Sequence, residues 1–205
     1  ATQPHPPLAT SPLITVVVPC FDPDPHQFAQ LLLSLLQQSD QSFDLLLVND
    51  GSSETAWCSI QAQLAPYSWI QVLDQPTNLG ISAALNAAME RVTTPYVALV
   101  DQDDILHPGA LALVNRHLKA HPDCGLLYTD HLIFDAAGTS CQVVNKFPWN
   151  PEALLEFNFL IHLTVVKTEL YRACGGMTSR FDGIQDWEFY LRLTPCLAGH
   201  RVVYL

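Results

Sequence analysis

Val97-Ala98-Leu99-Val100 is a short apolar run that leads directly into Asp101-Gln102-Asp103-Asp104. Such a run is typical of a strand buried inside a sheet. Three carboxylates within four residues repel one another and favour a bound cation. Because ligands bind at the carboxyl ends of strands in open α/β sheets, the stretch predicts a divalent cation that holds a phosphorylated substrate. The alternative is a solvated acidic turn in which Asp103 or Asp104 caps the next helix.

Apolar runs alternate with helical patterns on the amino-terminal side of this stretch. The predicted strands cover residues 13–18, 43–48, 69–73 and 95–100, and the predicted helices cover residues 25–38, 53–64 and 81–91. This alternation implies an α/β fold with a mostly parallel, doubly wound central sheet and right-handed crossovers.

The pattern changes after Pro108. It predicts a helix to about residue 119, an apolar run at 125–128, a hairpin over 132–146 that turns at 135–138, a strand within 159–166, a helix over 186–193 and a strand over 200–205. We therefore expect one domain over residues 13–205, with a nucleotide-binding half (13–105) and a smaller mixed half (106–205). Residues 1–12 contain four prolines and indicate a linker, and the missing initiator Met suggests a piece of a longer protein.

Composition narrows the classes of function. The chain has 205 residues, of which 49% are hydrophobic and 14% charged, and 9 basic against 20 acidic residues give a net charge of −11. A nucleic-acid surface needs a basic stripe, so nucleic acid is not an expected partner. With so few basic side chains, a metal ion or helix N-termini would have to supply the positive potential for a phosphorylated substrate.

The cysteines and the hydropathy pattern bear on compartment. Six cysteines are scattered without metal-ligand spacing, which disfavours a zinc site and fits a reducing cytoplasm better than a disulfide framework. No stretch approaches the roughly 18 apolar residues of a membrane span. We therefore expect a cytoplasmic domain, with any membrane contact peripheral and made through the full-length protein.

Polar residues follow three of the predicted parallel strands. They are Pro19-Cys20-Phe21-Asp22, Asn49-Asp50-Gly51-Ser52-Ser53 and Asp101-Gln102-Asp103-Asp104. A parallel sheet would bring these strand ends to one edge. There, Asp50 could accept hydrogen bonds from a base or ribose, Gly51 would permit a tight turn and Phe21 could stack on a base. The sequence contains neither GxGxxG nor GxxxxGK[ST], which disfavours a dinucleotide-binding dehydrogenase and excludes a P-loop.

Six motifs in this order resemble family 2 glycosyltransferases of the GT-A fold. They are Pro19-Cys-Phe-Asp22, Val48-Asn-Asp-Gly-Ser-Ser53, Asn78-Leu-Gly80, Asp101-Gln-Asp-Asp104, Gly175-Gly176 and Gln185-Asp186-Trp187. The similarity runs from about Leu13 to the carboxyl terminus. The segment from Trp149 through Asn158 and His162 is similar to subgroups that act on bacterial surface polysaccharides.

The resemblance implies a nucleotide-sugar donor, a saccharide or lipid-linked acceptor, a divalent metal (Mn²⁺ or Mg²⁺) and inversion at the anomeric carbon. It implies donor contacts at Pro19, Phe21, Asp22, Asp50, Asn78, Gly80, Asp101 and Gln102. Asp101 would lie near the ribose and the metal, and Asp103 would ligate the metal. Asp186 would be the catalytic base, and Trp187 and Gly176 would contact the acceptor.

Structural roles compete with several of these assignments. Asp186 could be an ordinary acid at a helix N-terminus, and Trp187 could be a sugar platform or a core residue. For Trp149 we favour the core, for His162 a structural histidine with satisfied hydrogen bonds, and for Arg192 an ion pair with a nearby acid on its helix.

Two departures from the family pattern affect the expected activity. Gln185 stands where the family commonly has Glu, so any tuning of Asp186 by that neighbour is lost. Family members usually continue beyond the strand at 200–205, and a domain ending there is expected to bind nucleotide yet turn over slowly. The alternative function is a non-catalytic module that binds nucleotide-sugar or glycan within a multidomain protein. A nucleotidyltransferase is disfavoured because residues 20–24 lack a glycine-rich, basic loop.

Overall fold

The computed structural model describes residues 11–135 and 141–205, and it contains a large sheet covered by helices on both faces. The strands are β1 (Ile14–Cys20), β2 (Phe43–Asp50), β3 (Gln71–Gln75), β4 (Tyr96–Leu99), β5 (Cys124–Tyr128), β6 (His131–Phe134), β7 (Cys141–Val144), β8 (Thr164–Lys167) and β9 (Arg201–Tyr204). The helices are α1 (Pro25–Leu36), α2 (Glu54–Leu64), α3 (Ile81–Met89), α4 (Ala110–Ala120), α5 (Pro151–Glu156), α6 (Thr168–Ala173) and α7 (Gln185–Cys196), with a 3₁₀ helix at Ser179–Phe181.

The large sheet has the strand order β3-β2-β1-β4-β8-β5-β9. Strands β1 to β4 are parallel to their neighbours in this series, and β9 is parallel to β5. β8 is antiparallel to both β4 and β5. The predicted α/β fold with a mostly parallel central sheet is therefore confirmed.

Strand β1 is buried on both faces, and its side chains alternate between two apolar cores. Val16 and Val18 pack with residues of α1, α2 and α4 on one face. Val17 packs with residues of α3, α6 and α7 on the other face. A strand buried on both sides needs a continuous apolar run, which explains why the sequence of β1 shows no alternation with polar residues.

The first two strands extend further toward the site than the apolar runs predict. In the register, Pro19 lies opposite Val48 and Cys20 opposite Asn49. β4 ends earlier, at Leu99 opposite Val17. Pro19, which has no N–H, therefore lies where β1 is paired with β2 alone, as at the edge positions that tolerate proline.

The predicted strand over 159–166 is wrong for residues 159–163. β8 begins only at Thr164, and the backbone of Leu160 before it is bonded to side chains. The Leu160 N–H donates to Asn158 Oδ1 (3.0 Å), and the Leu160 carbonyl accepts from Thr164 Oγ1 (3.0 Å). The apolar residues of this stretch are buried, and burial alone does not distinguish a strand from an irregular segment.

The N-terminal caps of α2 and α4 test two predictions about where helices begin. Ser53 caps α2 as predicted, its Oγ accepting from the Ala56 N–H. Helix α4 begins at Ala110 with Gly109 at its N-cap and no side-chain cap. The interpretation of Asp103 or Asp104 as a helix cap is therefore wrong, because Gly109 occupies the cap position and neither carboxylate bonds to the start of α4.

The predicted hairpin is present as β6 and β7, paired from His131 opposite Val144 to Phe134 opposite Cys141. Most of its turn and most of the proposed amino-terminal linker lie outside the described residues. Among the residues that are described, no helix combines the length and apolar character needed to cross a membrane.

Candidate functional site

A cavity of about 310 Å³ opens at the carboxyl ends of β1, β2 and β4. Its lining comes from all three strand ends and from the start of α3, as a parallel sheet requires. The lining residues are Pro19, Cys20, Phe21, Asp50, Asn78, Gly80, Ile81, Ala84, Asp101, Gln102 and Asp103. The structure thus brings together seven of the eight residues predicted to contact a donor, together with the predicted metal ligand Asp103.

Asp22 is the predicted donor residue that lies outside this lining. Its Oδ1 accepts from the Ser53 backbone N–H at 2.7 Å and from Ser53 Oγ at 2.9 Å, and its own N–H donates to Ser52 Oγ at 3.0 Å. Asp22 has a positive φ of 42°. These contacts fasten the end of β1 to the end of β2, so the structure gives Asp22 a role in shaping the site.

The Asp50 carboxylate holds the backbone of the loop that leads into α3. The carboxylate is buried, with Oδ1 accepting from the Leu79 N–H and Oδ2 from the Gly80 N–H, each at 2.9 Å. Gly80 then begins α3 with a φ of +90°. Because each carboxylate oxygen can accept more than one hydrogen bond, Asp50 can hold this loop and still offer lone pairs to a ligand.

Replacement of Gly51 tests how closely the end of β2 packs on the loop before α3. With a φ of +68°, a Cβ at this position would lie 2.3 Å from backbone atoms of Thr77 and Asn78. We expect Gly51→Ala to destabilise the fold by more than about 2 kcal/mol, because backbone strain and a backbone clash add. The midpoint of urea unfolding measures this loss.

Gly175→Ala is the matched control for Gly51. Gly175 has a φ of +80°, but a Cβ there would meet no atom within 4 Å. Only the conformational cost of about 1 kcal/mol should then remain. Equal losses in the two variants would contradict close packing of Gly51 on the Thr77–Asn78 backbone.

Phe21 is an exposed aromatic side chain whose backbone is fixed. Its N–H donates to Gln102 Oε1 at 2.9 Å, and its carbonyl accepts from Gln102 Nε2 at 3.2 Å. The ring is 45% exposed beside the cavity. A fixed backbone with an exposed ring is suited to stack on a base at little cost in conformational entropy.

Asp101 is paired with His162. The ring nitrogen Nε2 lies 3.0 Å from Asp101 Oδ2, and Nδ1 lies 2.9 Å from the carbonyl oxygen of Leu99. Burial alone would lower the pKa of His162, but Asp101, Asp104 and the Leu99 carbonyl outweigh it and raise this pKa to about 9. Burial would also raise the pKa of Asp101, yet His162 holds it below its ordinary value.

The neighbouring carboxylates differ in environment. Asp103 is exposed and lines the cavity. Asp104 is half-buried, and burial together with the charges of Asp101 and Asp103 raises its pKa. Asp104 also offers a ligand atom within 4.8 Å of atoms from Asp101 and His162.

The carboxylate oxygens of Asp101 and Asp103 are suitable ligands for a divalent metal ion. Carboxylate oxygens are what Mg²⁺ and Mn²⁺ prefer, and Asp101 and Asp103 present them at the cavity. His162 forms hydrogen bonds through both ring nitrogens, as predicted for a structural histidine, although its partner is a carboxylate of the site. Asp101 therefore bonds to His162 through Oδ2 and also lines the cavity.

Asp186 lies in the first turn of α7. Its Oδ2 accepts from Asn158 Nδ2 at 2.7 Å. Burial strongly raises the pKa of the Tyr190 phenol, which lies one turn later on α7, and the charges of Asp186 and Asp101 raise that pKa further. Both carboxylates therefore lie within electrostatic reach of one buried phenol. Gln185 bonds to the Gly183 N–H (2.7 Å).

The structure shows the contacts of three residues for which the sequence allows a structural role. Arg192 pairs with Glu188 one helical turn earlier, with Nε and Oε1 2.5 Å apart, as predicted. Trp149 packs against the core. Trp187 also packs there, and its indole N–H donates to the Leu154 carbonyl at 2.7 Å. The contacts of Trp187 thus favour the core alternative.

Gly176 has a structural reason to be glycine. Its φ is +70°, and a Cβ would lie 2.3 Å from Asn86 Oδ1. Its carbonyl accepts from Arg192 Nη2 at 2.7 Å. This packing accounts for the glycine without an acceptor contact, which stays a prediction.

Sequence reasoning missed several residues of the site. Cys20, Ile81 and Ala84 line the cavity as apolar bulk, and burial raises the pKa of the Cys20 thiol to about 12. Asp104 belongs to the acidic cluster predicted to favour a cation but was given no ligand role of its own, and Asn158 was given no role in the site. Cys20 stands in the strand-end motif from Pro19 to Asp22 but received no role of its own, and nothing in the sequence shows which side chain Asn158 reaches.

Comparison with known proteins places this site in a family. The model of "Glycosyl transferase family 2" matches residues 15–154. An uncharacterised protein of Sinorhizobium fredii is 35% identical over 97% of this chain and 22% of its own length. The O-antigen biosynthesis protein RfbC of Myxococcus xanthus is 31% identical over 94% of this chain and 15% of its own length. The chain thus spans about a fifth or less of these two curated relatives.

Solved structures support the fold. A mannosyltransferase from Pyrobaculum calidifontis, in complex with GDP-Man and Mn²⁺, is 18% identical with a TM-score of 0.68, over 96% of this chain and 55% of that one. TarS from S. aureus in complex with UDP-GlcNAc is 17% identical with a TM-score of 0.71, over 94% of this chain and 55% of that one. The family match covers well over half of the residues, and the chain therefore belongs to glycosyl transferase family 2.

Proposed function

We propose that this chain is an inverting, metal-dependent glycosyltransferase domain that moves a sugar from a nucleotide-sugar donor to a glycan or lipid-linked acceptor in polysaccharide synthesis. The observation that carries the proposal is the convergence of strand-end residues on one cavity, with Asp101 and Asp103 in its lining. Family membership and relatives named for O-antigen and amylovoran biosynthesis support it.

The residues of 13–105 bind the donor in this proposal. Phe21 stacks on the base, and Asp50 accepts hydrogen bonds from the base or ribose. Asp50 is buried and already oriented by the Leu79 and Gly80 amides, so it loses little freedom when a ligand binds. The proposal agrees with structural neighbours solved with GDP-Man and with UDP-GlcNAc.

Asp101 and Asp103 hold a divalent metal at the diphosphate. When bound, Mn²⁺ or Mg²⁺ acts as a Lewis acid that neutralises the charge of the departing nucleoside diphosphate. Among the described residues, the lining of the cavity contains no Lys or Arg that could take over that task. The Mn²⁺ in the mannosyltransferase neighbour supports the choice of ion.

Asp186 takes the proton of the acceptor hydroxyl. Its position at the start of α7, with Oδ2 bonded to Asn158, makes it an oriented carboxylate. As Asp186 takes its proton, the acceptor oxygen forms a bond to the anomeric carbon from the side opposite the nucleoside diphosphate, whose bond to that carbon breaks, so one displacement inverts the carbon. Residues 106–205 then form the acceptor side.

The test is sugar transfer from a panel of UDP-, GDP- and dTDP-sugars with Mn²⁺ and saccharide acceptors, using the chain and the full-length protein. We expect metal-dependent release of nucleoside diphosphate with at least one donor. Metal-dependent donor binding without turnover, unchanged by Asp186→Asn, would instead show a non-catalytic binding module. Absence of both binding and turnover with every donor would overturn the proposal.

A further inference from the structure

Residues 157–163, which join α5 to β8, contact both carboxylates that the proposed function uses. We call them the joining segment. Asn158 Nδ2 lies 2.7 Å from Asp186 Oδ2. Four residues later, His162 Nε2 lies 3.0 Å from Asp101 Oδ2. One short piece of chain therefore touches the proposed proton acceptor and the proposed metal-side acid.

We propose that the joining segment is a positioning element that sets the placement of these two acids. Asn158 fixes Asp186, and His162 fixes Asp101. Both act through the carboxylates they hold and touch neither donor nor acceptor. This inference rests on the proposed function, which supplies the roles of Asp101 and Asp186.

The orientation of each contact is determined by a second hydrogen bond. Asn158 Oδ1 accepts from the Leu160 N–H at 3.0 Å, so the amide nitrogen must face Asp186. His162 Nδ1 faces the Leu99 carbonyl at 2.9 Å, and because a carbonyl can only accept, Nδ1 carries a hydrogen. Nε2 is then the nitrogen directed at Asp101, so neither contact depends on a free rotor.

The joining segment is itself anchored on several sides. Phe159 and Leu160 are buried in the core, and the Leu160 carbonyl accepts from Thr164 Oγ1. The Lys146 ammonium donates to the carbonyls of Ile161 and His162. Burial lowers the pKa of Lys146 to about 8. Anchors between and beside Asn158 and His162 keep their spacing constant, as a positioning element requires.

Each contact leaves part of its carboxylate available. Asn158 engages Oδ2 of Asp186, and Oδ1 accepts no hydrogen bond from the described residues. Asp101 bonds to His162 through Oδ2 and lines the cavity. A carboxylate bonded on one side and open on the other is the arrangement expected for an oriented base or ligand.

The Asn158 arm is tested by transfer kinetics. We expect Asn158→Ala to lower kcat by about 10- to 100-fold, because a misplaced base loses that much, while the donor Kd stays unchanged. In an Asp186→Asn background, Asn158→Ala should cause almost no further loss, because its effect passes through Asp186. A full additional loss in that background, or an equal change in donor Kd, would overturn this arm.

The His162 arm is tested by Mn²⁺ and donor titration. We expect His162→Ala to weaken Mn²⁺-dependent donor binding by about 10-fold, as loss of a ligand's hydrogen-bond partner does. His162→Gln keeps a donor for Asp101 and should restore most of it. If His162→Gln abolished Mn²⁺ binding as fully as Asp101→Ala, His162 would be a metal ligand and this arm would fail.

Asn150→Ala is the matched control. Asn150 caps α5 outside the joining segment, its Oδ1 accepting from the Glu152 and Ala153 N–H groups. It should cost stability without changing kcat or donor Kd. A loss of kcat equal to that of Asn158→Ala would show a general effect of destabilisation and overturn the inference.

A readout independent of turnover separates this inference from the proposed function. Carbon-13 spectra of labelled aspartate carboxyls should show the Asp186 signal moved by Asn158→Ala and the Asp101 signal moved by His162→Ala. Asn150→Ala should move neither. If the wild-type chain transfers no sugar but these shifts occur, the proposed function fails and the positioning contacts stand; if the shifts are absent, the inference fails whatever the activity.

Discussion

Asp186→Asn is expected to lower the rate of sugar transfer by about 10³-fold, since general base catalysis contributes roughly 10² to 10⁴. The amide preserves the size of the side chain at the start of α7 but cannot take a proton from the acceptor hydroxyl. Donor binding should be unchanged, because Asp186 lies outside the lining of the donor cavity. Single-turnover transfer and calorimetric donor titration measure the two quantities separately.

Asp123→Asn is the control for the charge change. Asp123 is an exposed acid whose carboxylate lies 3.4 Å from Arg201 Nε, away from the cavity lining. An exposed ion pair contributes little, so transfer should stay near the wild-type rate. A normal transfer rate in Asp186→Asn would show that another group takes the proton, and the assignment of the base would be wrong.

Asp103→Ala is expected to weaken metal-dependent donor binding by about 100-fold, which corresponds to loss of one charged ligand of roughly 2.7 kcal/mol. Asp103 is exposed at the cavity and free to meet an ion there. Titration of the donor with and without Mn²⁺ measures the loss, and removal of metal by a chelator should reproduce it in the wild type. In Asp103→Ala, the chelator should then have little further effect.

Asp104→Ala provides the comparison for this ligand assignment. Asp104 lies beside Asp101 and His162 and is absent from the cavity lining. We expect a smaller loss of donor affinity than for Asp103→Ala. If Asp104→Ala removed metal binding and Asp103→Ala did not, the ion would be held by Asp101, Asp104 and His162 instead.

The parallel part of the fold could be predicted because its signals are local. β1, β2 and β4 are short apolar runs, and helical patterns separate the strands, whereas the partly polar β3 begins at Gln71, two residues later than predicted. The position of β8 could not be predicted, since an apolar segment does not reveal which strand it pairs with or in which direction. Pairing between Leu99 and Thr164 is determined by the packing of the whole sheet.

The site could be predicted where its residues lie at or directly after the end of a strand. Asp50, Asp101 and Asp103 were found because strand topology places such residues at one edge. The supporting contacts were not found, because Asn158 and Asp186 are 28 residues apart and His162 and Leu99 are 63 apart. Hydrogen bonds across such distances leave no periodic pattern in the sequence.

The reversed direction of β8 has a consequence for how the site can vary. Thr164, the first residue of β8, lies opposite Leu99, the last residue of β4. Because β8 runs antiparallel to β4, it begins at the end of the sheet where β4 stops. The residues that precede β8 therefore lie at the carboxyl-end edge where the cavity opens. Under the proposed function, we therefore expect insertions or substitutions before Thr164 to change the surface of the site while every strand keeps its register.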